Sequence, residues 1–287
     1  MRKTMEKIFK FSIKTLTLIS LLILAFIIIF IFKESLEFFK EVSIIKFISG
    51  KKWNPLKAPE NLSILPIILA TAYISFVGII IALPIGVGFA IVISTYANGS
   101  TRRILRGIVD ILAGIPSVVY GFIGLLVLVR FFEVKFSFPS GESLLAGGII
   151  LAIMMLPYIV STCDESMEKS YRIHSKHSNA LGVSKSYMIR KIILPESRKS
   201  IIAAIVLALG RGMGETMAVM MVIGNAPIMP SLFKKAQTIP SLIALEMGMA
   251  EVGSLHYHAL FASGFILMIM LITINIILHF IKKNIDL

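Results

Sequence analysis

Pro66-Ile-Ile-Leu-Ala-Thr-Ala-Tyr-Ile-Ser-Phe-Val-Gly-Ile-Ile-Ile-Ala-Leu-Pro-Ile-Gly-Val-Gly-Phe-Ala-Ile-Val-Ile-Ser-Thr95 runs for thirty residues without one formal charge. About 20 consecutive apolar residues carry a helix across the hydrocarbon core of a bilayer, so this run can cross and still tilt or extend beyond it. A helix on the surface of a soluble domain needs a polar face, and this run has none. The pattern repeats on both sides. Residues 16–32, 111–129 and 144–162 are also free of charge. Residues 201–224 carry two charges, Arg211 and Glu215, and 258–281 hold only Asn275 and His279 near their end. Six transmembrane helices are therefore expected, in an all-α polytopic membrane protein. Of the 287 residues, 56% are hydrophobic and 16% charged, against roughly 45–50% and 25% in soluble domains. That composition excludes a disordered chain.

Basic residues set the orientation. The chain has 29 Lys and Arg against 16 Asp and Glu, a net charge of +13. In a soluble protein such an excess points to nucleic acid; beside membrane spans it collects in cytoplasmic loops. With the N-terminus inside, the inside segments 1–15, 96–110, 163–200 and 282–287 hold eighteen of the Lys and Arg. The outside segments 33–65, 130–143 and 225–257 hold ten, and Arg211 lies within a span. The bias predicts both termini inside, in the cytoplasmic (inner) cell membrane, with lipid as partner. No nucleic-acid role is expected, since no basic patch with interleaved aromatics stands in a soluble module. Arg2, Lys3, Lys7, Lys10 and Lys14 would suit the n-region of a signal peptide. The apolar run behind them exceeds the roughly 7–15 residues of an h-region, and Lys33-Glu34 follows instead of a cleavage site. An uncleaved anchor is expected. Cys163 is the only cysteine. It excludes an internal disulfide and a thiolate cluster, and its place at the inner end of the fourth span makes it a topology probe.

On this reading residues 1–65 are an anchor helix with an extracytoplasmic loop, and 66–287 form the transmembrane domain around the inside stretch 163–200. Trp53 reads as an interfacial anchor. Pro84 predicts a kink in the second span, and Gly86 and Gly88 a close helix approach. The third span opens on Gly114, Pro116 and Ser117 and continues to Tyr120 and Gly121. So many helix breakers are tolerated at membrane depth only where protein or a water-filled cavity satisfies the freed backbone groups, so packing and pathway lining both fit. In the inside stretch, 173–181 and 187–194 read as two short amphipathic helices. Gly182 supplies the turn between them, Ser184 the cap of the second, and Pro195 a break before the fifth span. A helix pair of this kind, without a catalytic set, suits a docking surface or the membrane surface.

Enzyme signatures are absent from the sequence. There is no G-x-x-x-x-G-K-[ST] phosphate cradle and no H-E-x-x-H. His174 and His177 have no third ligand at metal spacing, and His256 and His258 read as solvated. Methionines such as Met213, Met217, Met220 and Met221 read as pliable packing. Arg211 and Glu215 are the only opposite charges inside one span. Their spacing places them on one helical face, where they can pair. Each costs roughly 2.5–3.5 kcal/mol at a helix centre, and such residues mark substrate pathways.

Ala180-Leu181-Gly182, followed by Ile192 and Leu194-Pro195, resembles the second half of the signature loop of binding-protein-dependent ABC importer permeases. Lys176-His177-Ser178 stand where that loop carries Glu-Ala-Ala. Ala113-Gly-Ile-Pro-Ser-Val-Val-Tyr-Gly121 resembles the third-span motif of phosphate importer permeases. Leu209-Gly-Arg-Gly-Met-Gly-Glu-Thr-Met-Ala-Val219, with Gly224-Asn225, is similar to their PstC-type subunit, as is Trp53-Asn54-Pro55. The resemblance covers the chain from about Trp53 onward. It implies the type I ABC importer fold and a transport subunit that itself changes no bond. It also implies a PstA-type permease partner, two copies of an ATP-binding subunit that dock on the inside loop, and an extracytoplasmic phosphate-binding protein. No cofactor is then bound by this chain; ATP and Mg belong to the ATPase. Lys176, Ala180, Leu181, Gly182, Ile192, Leu194 and Pro195 would form the coupling loop, and Arg211 with Glu215 the substrate pathway. Two other readings stay open: a permease for sulfate or molybdate, and a stand-alone channel or secondary transporter. The latter often show repeats with matching broken helices, and spans one to three do not visibly recur in four to six.

Overall fold

The computed structural model describes residues 2–55, 60–136 and 140–284. Helix α1 spans Arg2–Glu41. After it come α2 (Ile44–Ser49) and a short antiparallel pair, β1 (Trp53–Asn54) with β2 (Asn61–Leu62). Then follows α3 (Leu65–Ile91), prolonged by a π-turn over Val92–Tyr96. Helix α4 (Gly99–Gly114) stops before Pro116, and α5 (Ser117–Ile123) restarts the path, running through a second π-turn, Gly124–Val129, into α6 (Arg130–Phe136). Helix α7 (Leu144–Ala180) is 37 residues long. Beyond the Gly182 turn lie α8 (Lys185–Met188), a π-turn over Ile189–Ile193 and α9 (Leu194–Glu196). The chain re-enters the bundle as α10 (Arg198–Met213) and α11 (Met217–Val222), and closes with α12 (Ile239–Glu246) and α13 (Leu255–Asn284).

The bundle is held at its centre by α3 against α7, and the sequence shows why they approach so closely. A Cβ at Gly148 would meet Val77 at 2.5 Å, one at Gly147 would meet Ile74 at 2.5 Å, and one at Gly86 would meet Ile159 at 2.7 Å. Small residues on both helices thus seat branched side chains of the other, which is how helices associate where lipid offers no hydrophobic drive. Gly88 makes no such contact, with nothing within 4 Å. Ala70, Ile74, Ala82, Leu151, Met155 and Ile159 are buried along this seam. By contrast, the most apolar stretches of α1 and α13 bury none of their residues, and Leu18, Leu22, Phe26, Ile272 and Ile276 face outward. In a bilayer those faces meet acyl chains.

Five helices are long and apolar enough to cross a membrane among the described residues. The fifth expected span, 201–224, is not one helix. Helix α10 has 16 residues, about 24 Å at 1.5 Å each, short of a bilayer core of about 30 Å. Gly210 and Gly212 each weaken the helix by about 1 kcal/mol relative to Ala, and the chain leaves it at Gly214. The third span begins at Ser117 rather than at residue 111, because Pro116 cannot continue α4. Pro84, in contrast, lies within the unbroken α3. At the inside stretch, α7 continues as one helix through residue 163 to Ala180. Pro195 sits in the first turn of α9, directly after a π-turn, where a missing backbone donor is tolerated. The interruption expected there falls instead at Ser197.

Three further expectations are corrected. Trp53 is 7% exposed, and its Nε1 donates to Glu246 at 2.9 Å, so it locks the α12 end of the bundle instead of meeting lipid. His256 and His258 are not free in solvent: His256 Nε2 lies 2.8 Å from Glu246, and His258 Nδ1 lies 3.0 Å from Glu34. Cys163 is fully buried, so it cannot report topology by labelling.

Candidate functional site

Two helix breaks face one another. The first is at Ile115-Pro116, where Ile115 turns extended (φ −69°, ψ 127°). Tyr120 Oη reaches back across it and donates to the Leu112 carbonyl at 2.8 Å, satisfying an acceptor freed at the end of α4. The second break is at Gly214–Thr216. Helices α5 and α11, which start just beyond the two breaks, pack directly together: a Cβ at Gly121 would lie 2.8 Å from Ala218 Cα and 2.9 Å from Met221 Sδ. Gly124 repeats the close approach against Ile150 and Val222. Of the expected helix-break residues, Gly121 therefore serves packing. Gly114 has nothing within 4 Å of its Cβ direction, and its place at the end of α4 is its distinguishing feature.

Arg211 and Glu215 come apart at the second break. Among the described residues no ion pair joins them, contrary to the pairing that a continuous helix would allow. Arg211 lies in the last turn of α10, exposed, with its guanidinium 5.0 Å from the centroid of the Tyr158 ring on α7. Its charge meets the ring face and not a carboxylate. Glu215 turns to the start of α11, where Oε1 accepts from Ala218 N–H at 3.4 Å, a long cap. Gly212, on the α10 face toward α7, leaves room for the terminal methyl of Met155. The arrangement offers an unpaired guanidinium fork, held by a tyrosine, at the point where two helices are interrupted. Such a fork suits a tetrahedral oxyanion.

The coupling-loop residues divide into two groups. Lys176, Ala180, Leu181 and Gly182 are exposed, with Leu181 at 79%. Gly182 has φ +66° with nothing near its Cβ direction, so glycine is favoured there by backbone conformation and not by crowding. Hydrogen bonds from Gly182 N–H to Asn179 O (3.2 Å) and from Val183 N–H to Ser178 O (2.9 Å) close the turn. Ser184 caps the next helix by accepting from Tyr187 N–H, as its position predicted. Ile192, Leu194 and Pro195 are half-buried and lie beside the buried Met188, Ile189 and Ile193, which anchor the loop to the core. The loop is thus a projecting tip on a fixed base.

One charged cluster was not anticipated. Arg102 and Arg106 of α4 meet Asp164 and Glu168 of α7: Arg106 Nη2 is 2.5 Å from Asp164 and 2.7 Å from Glu168, and Arg102 Nη2 is 2.6 Å from Glu168. Arg172 adds an exposed third partner to Glu168 at 2.6 Å. Burial works against the charge on Arg106, but its hydrogen bonds to the two carboxylates outweigh that and hold the guanidinium above its ordinary range. The available signal was two arginines four apart on α4 and two acids four apart on α7. Tyr158 beneath Arg211 was likewise missed. Nearby, Glu196 accepts from Ser170 and lies 2.8 Å from His174 Nε2, tying α9 to α7.

A bundle of long apolar helices with paired helix breaks and a projecting turn defines a multi-pass membrane permease. Comparison with known proteins agrees. Residues 82–287 match the family model described as binding-protein-dependent transport system inner membrane component, and the chain belongs to that family. It is 35% identical over 244 residues to "Probable ABC transporter permease protein YqgH" of Bacillus subtilis, covering 85% of this chain and 79% of that protein. It is 35% identical over 260 residues to the phosphate transport system permease protein PstC of Mesorhizobium japonicum, covering 84% and 79%. A chain of the MetNI methionine ABC transporter in an inward-facing conformation superposes with a TM-score of 0.58 at 19% identity, covering 77% of this chain and 94% of that one. That likeness establishes the type I importer permease fold.

Proposed function

We propose that this chain is the PstC-type permease subunit of an ATP-driven importer of inorganic phosphate. It works beside a PstA-type permease, with two ATP-binding subunits at the inside turn and an extracytoplasmic phosphate-binding protein at the opposite end. Arg211 carries the reading: an exposed guanidinium without a carboxylate partner at a double helix break gives a passing oxyanion transient positive potential. The relatives named for phosphate transport at 31–35% identity support phosphate over other oxyanions. Glu215 contributes by capping α11 and so fixing the break. Termini on the cytoplasmic side follow from the basic bias, which places the Gly182 tip where an ATPase can reach it.

In a host lacking phosphate import, the chain co-expressed with its neighbouring transport subunits should restore uptake of radiolabelled phosphate. Excess sulfate or molybdate should compete poorly. Arg211→Gln should abolish uptake while the complex still assembles and hydrolyses ATP. Uptake in that variant at the wild-type rate would remove Arg211 from the pathway, and inhibition by sulfate as strong as by phosphate would move the substrate class.

A further inference from the structure

The cluster between α4 and α7 has no part in the pathway or the docking tip, yet it is costly to keep. The side chains of Asp164 and Glu168 are 6% and 15% exposed and that of Arg102 20%, while Arg106 reaches them from a half-exposed position at 43%. A buried ion-pair network is often no more stabilising than apolar residues of the same volume, so packing gives no reason for it. The charges supply instead a directional joint between two particular helices. The apolar cluster there is small: Leu105 and Val109 of α4 share it with a single residue of α7, Val160, beside Phe89 and Ile93 from the α3 path. A cavity of about 310 Å³ opens beside the joint, lined by Asp110, Ser161 and Glu165 among others. Helices α4 and α7 are therefore bridged by ion pairs where they are not packed flush.

The joint's position gives it a use. Helix α7 runs unbroken from Tyr158, beneath Arg211, past Asp164 and Glu168 to the turn at Leu181-Gly182. Helix α4 runs from Arg102 and Arg106 to the break at Gly114, tied to α5 by Tyr120. We infer that the Arg102/Arg106–Asp164/Glu168 joint makes α4 move with α7, so that a displacement of the Gly182 turn reaches both helix breaks together. These four are positioning residues: they act through the breaks and touch no substrate. The inference rests on the importer reading given above.

The test is the ratio of phosphate transported to ATP hydrolysed, measured on the assembled complex in proteoliposomes. Arg106→Gln with Asp164→Asn removes one charge of each sign and leaves Arg102, Glu168 and Arg172 paired. It should keep ATP hydrolysis while the ratio falls about tenfold, within the usual span of inter-site coupling. Arg106→Lys keeps the charge but loses the fork that engages both carboxylates, and its ratio should fall between the two. A merely structural joint would lower the yield of complex, and with it hydrolysis and uptake alike, leaving the ratio unchanged. If the double variant fails to assemble, Arg106→Lys decides, and a wild-type ratio there overturns the inference. A wild-type complex that takes up no phosphate would overturn the importer reading and the joint's role in it. A transporting wild type with unchanged ratios in both variants overturns the joint alone.

Discussion

Arg211 is held by an aromatic face and not by a carboxylate, and this decides which substitutions should matter around it. A cation over a tyrosine ring contributes roughly 0.5–2 kcal/mol depending on desolvation. Removing the ring with Tyr158→Leu should therefore slow phosphate uptake by roughly 2- to 30-fold, while Tyr158→Phe, which keeps the face, should stay near wild type. A hydroxyl-dependent role would instead slow Tyr158→Phe as much as Tyr158→Leu in the same uptake assay. Arg211→Lys should retain a fraction of activity, since it keeps the charge without the planar fork. Glu215→Gln should leave assembly intact, because the cap it makes is long and an amide oxygen can accept the same hydrogen bond. Loss of the complex in that variant would mean that Glu215 neutralises a buried charge after all.

At the scale of elements, the two glycines that act by different means should fail differently. Gly182→Val places a β-branched residue at φ +66°, which should unmake the turn and with it ATPase association; Gly182→Asn should be tolerated. Co-purification of the ATPase with each variant is the check. Gly121→Val instead drives a side chain into Ala218 and Met221, wedging α5 off α11, and should lower thermal stability of the permease itself by about 1–3 kcal/mol. Lys176→Glu, at an exposed position before the turn, should leave both properties unchanged. The membrane spans were legible because a charge-free run of twenty residues is a local property. The interruption of 201–224 was not, since apolar residues resume at Met217 and only the glycines and one acidic residue, Glu215, mark the break. The Arg211–Glu215 pairing failed for the same reason: spacing of four places two groups on one face only while the helix lasts. Tyr158 beneath Arg211 and the α4–α7 joint depend on partners more than fifty positions apart, which no window along the chain brings together.

The whole molecule can be oriented experimentally with the structure as guide. Cys163 is buried among the α3–α7–α10 core, so Cys163→Ser should be tolerated as a near-isosteric change and frees the chain for a designed probe. Leu181→Cys at the projecting tip should react with a membrane-impermeant maleimide only after cells are permeabilised, whereas Met249→Cys, on the exposed stretch after α12, should react in intact cells. The opposite pattern would invert the topology.

Helix α1 docks chiefly along α13, with Phe30 against Phe261 and Phe32 against Phe265. Helix α1 is thus completed by a helix more than 200 residues further along the chain. At about 5–20 residues per second, synthesis of the intervening chain takes roughly ten to fifty seconds. Throughout that interval the middle of α1 waits in lipid without α13, which its uniformly apolar surface permits. The α1–α13 pairing is therefore late, and a ribosome that stalls before α13 leaves behind an inserted but unjoined α1, a substrate for membrane quality control.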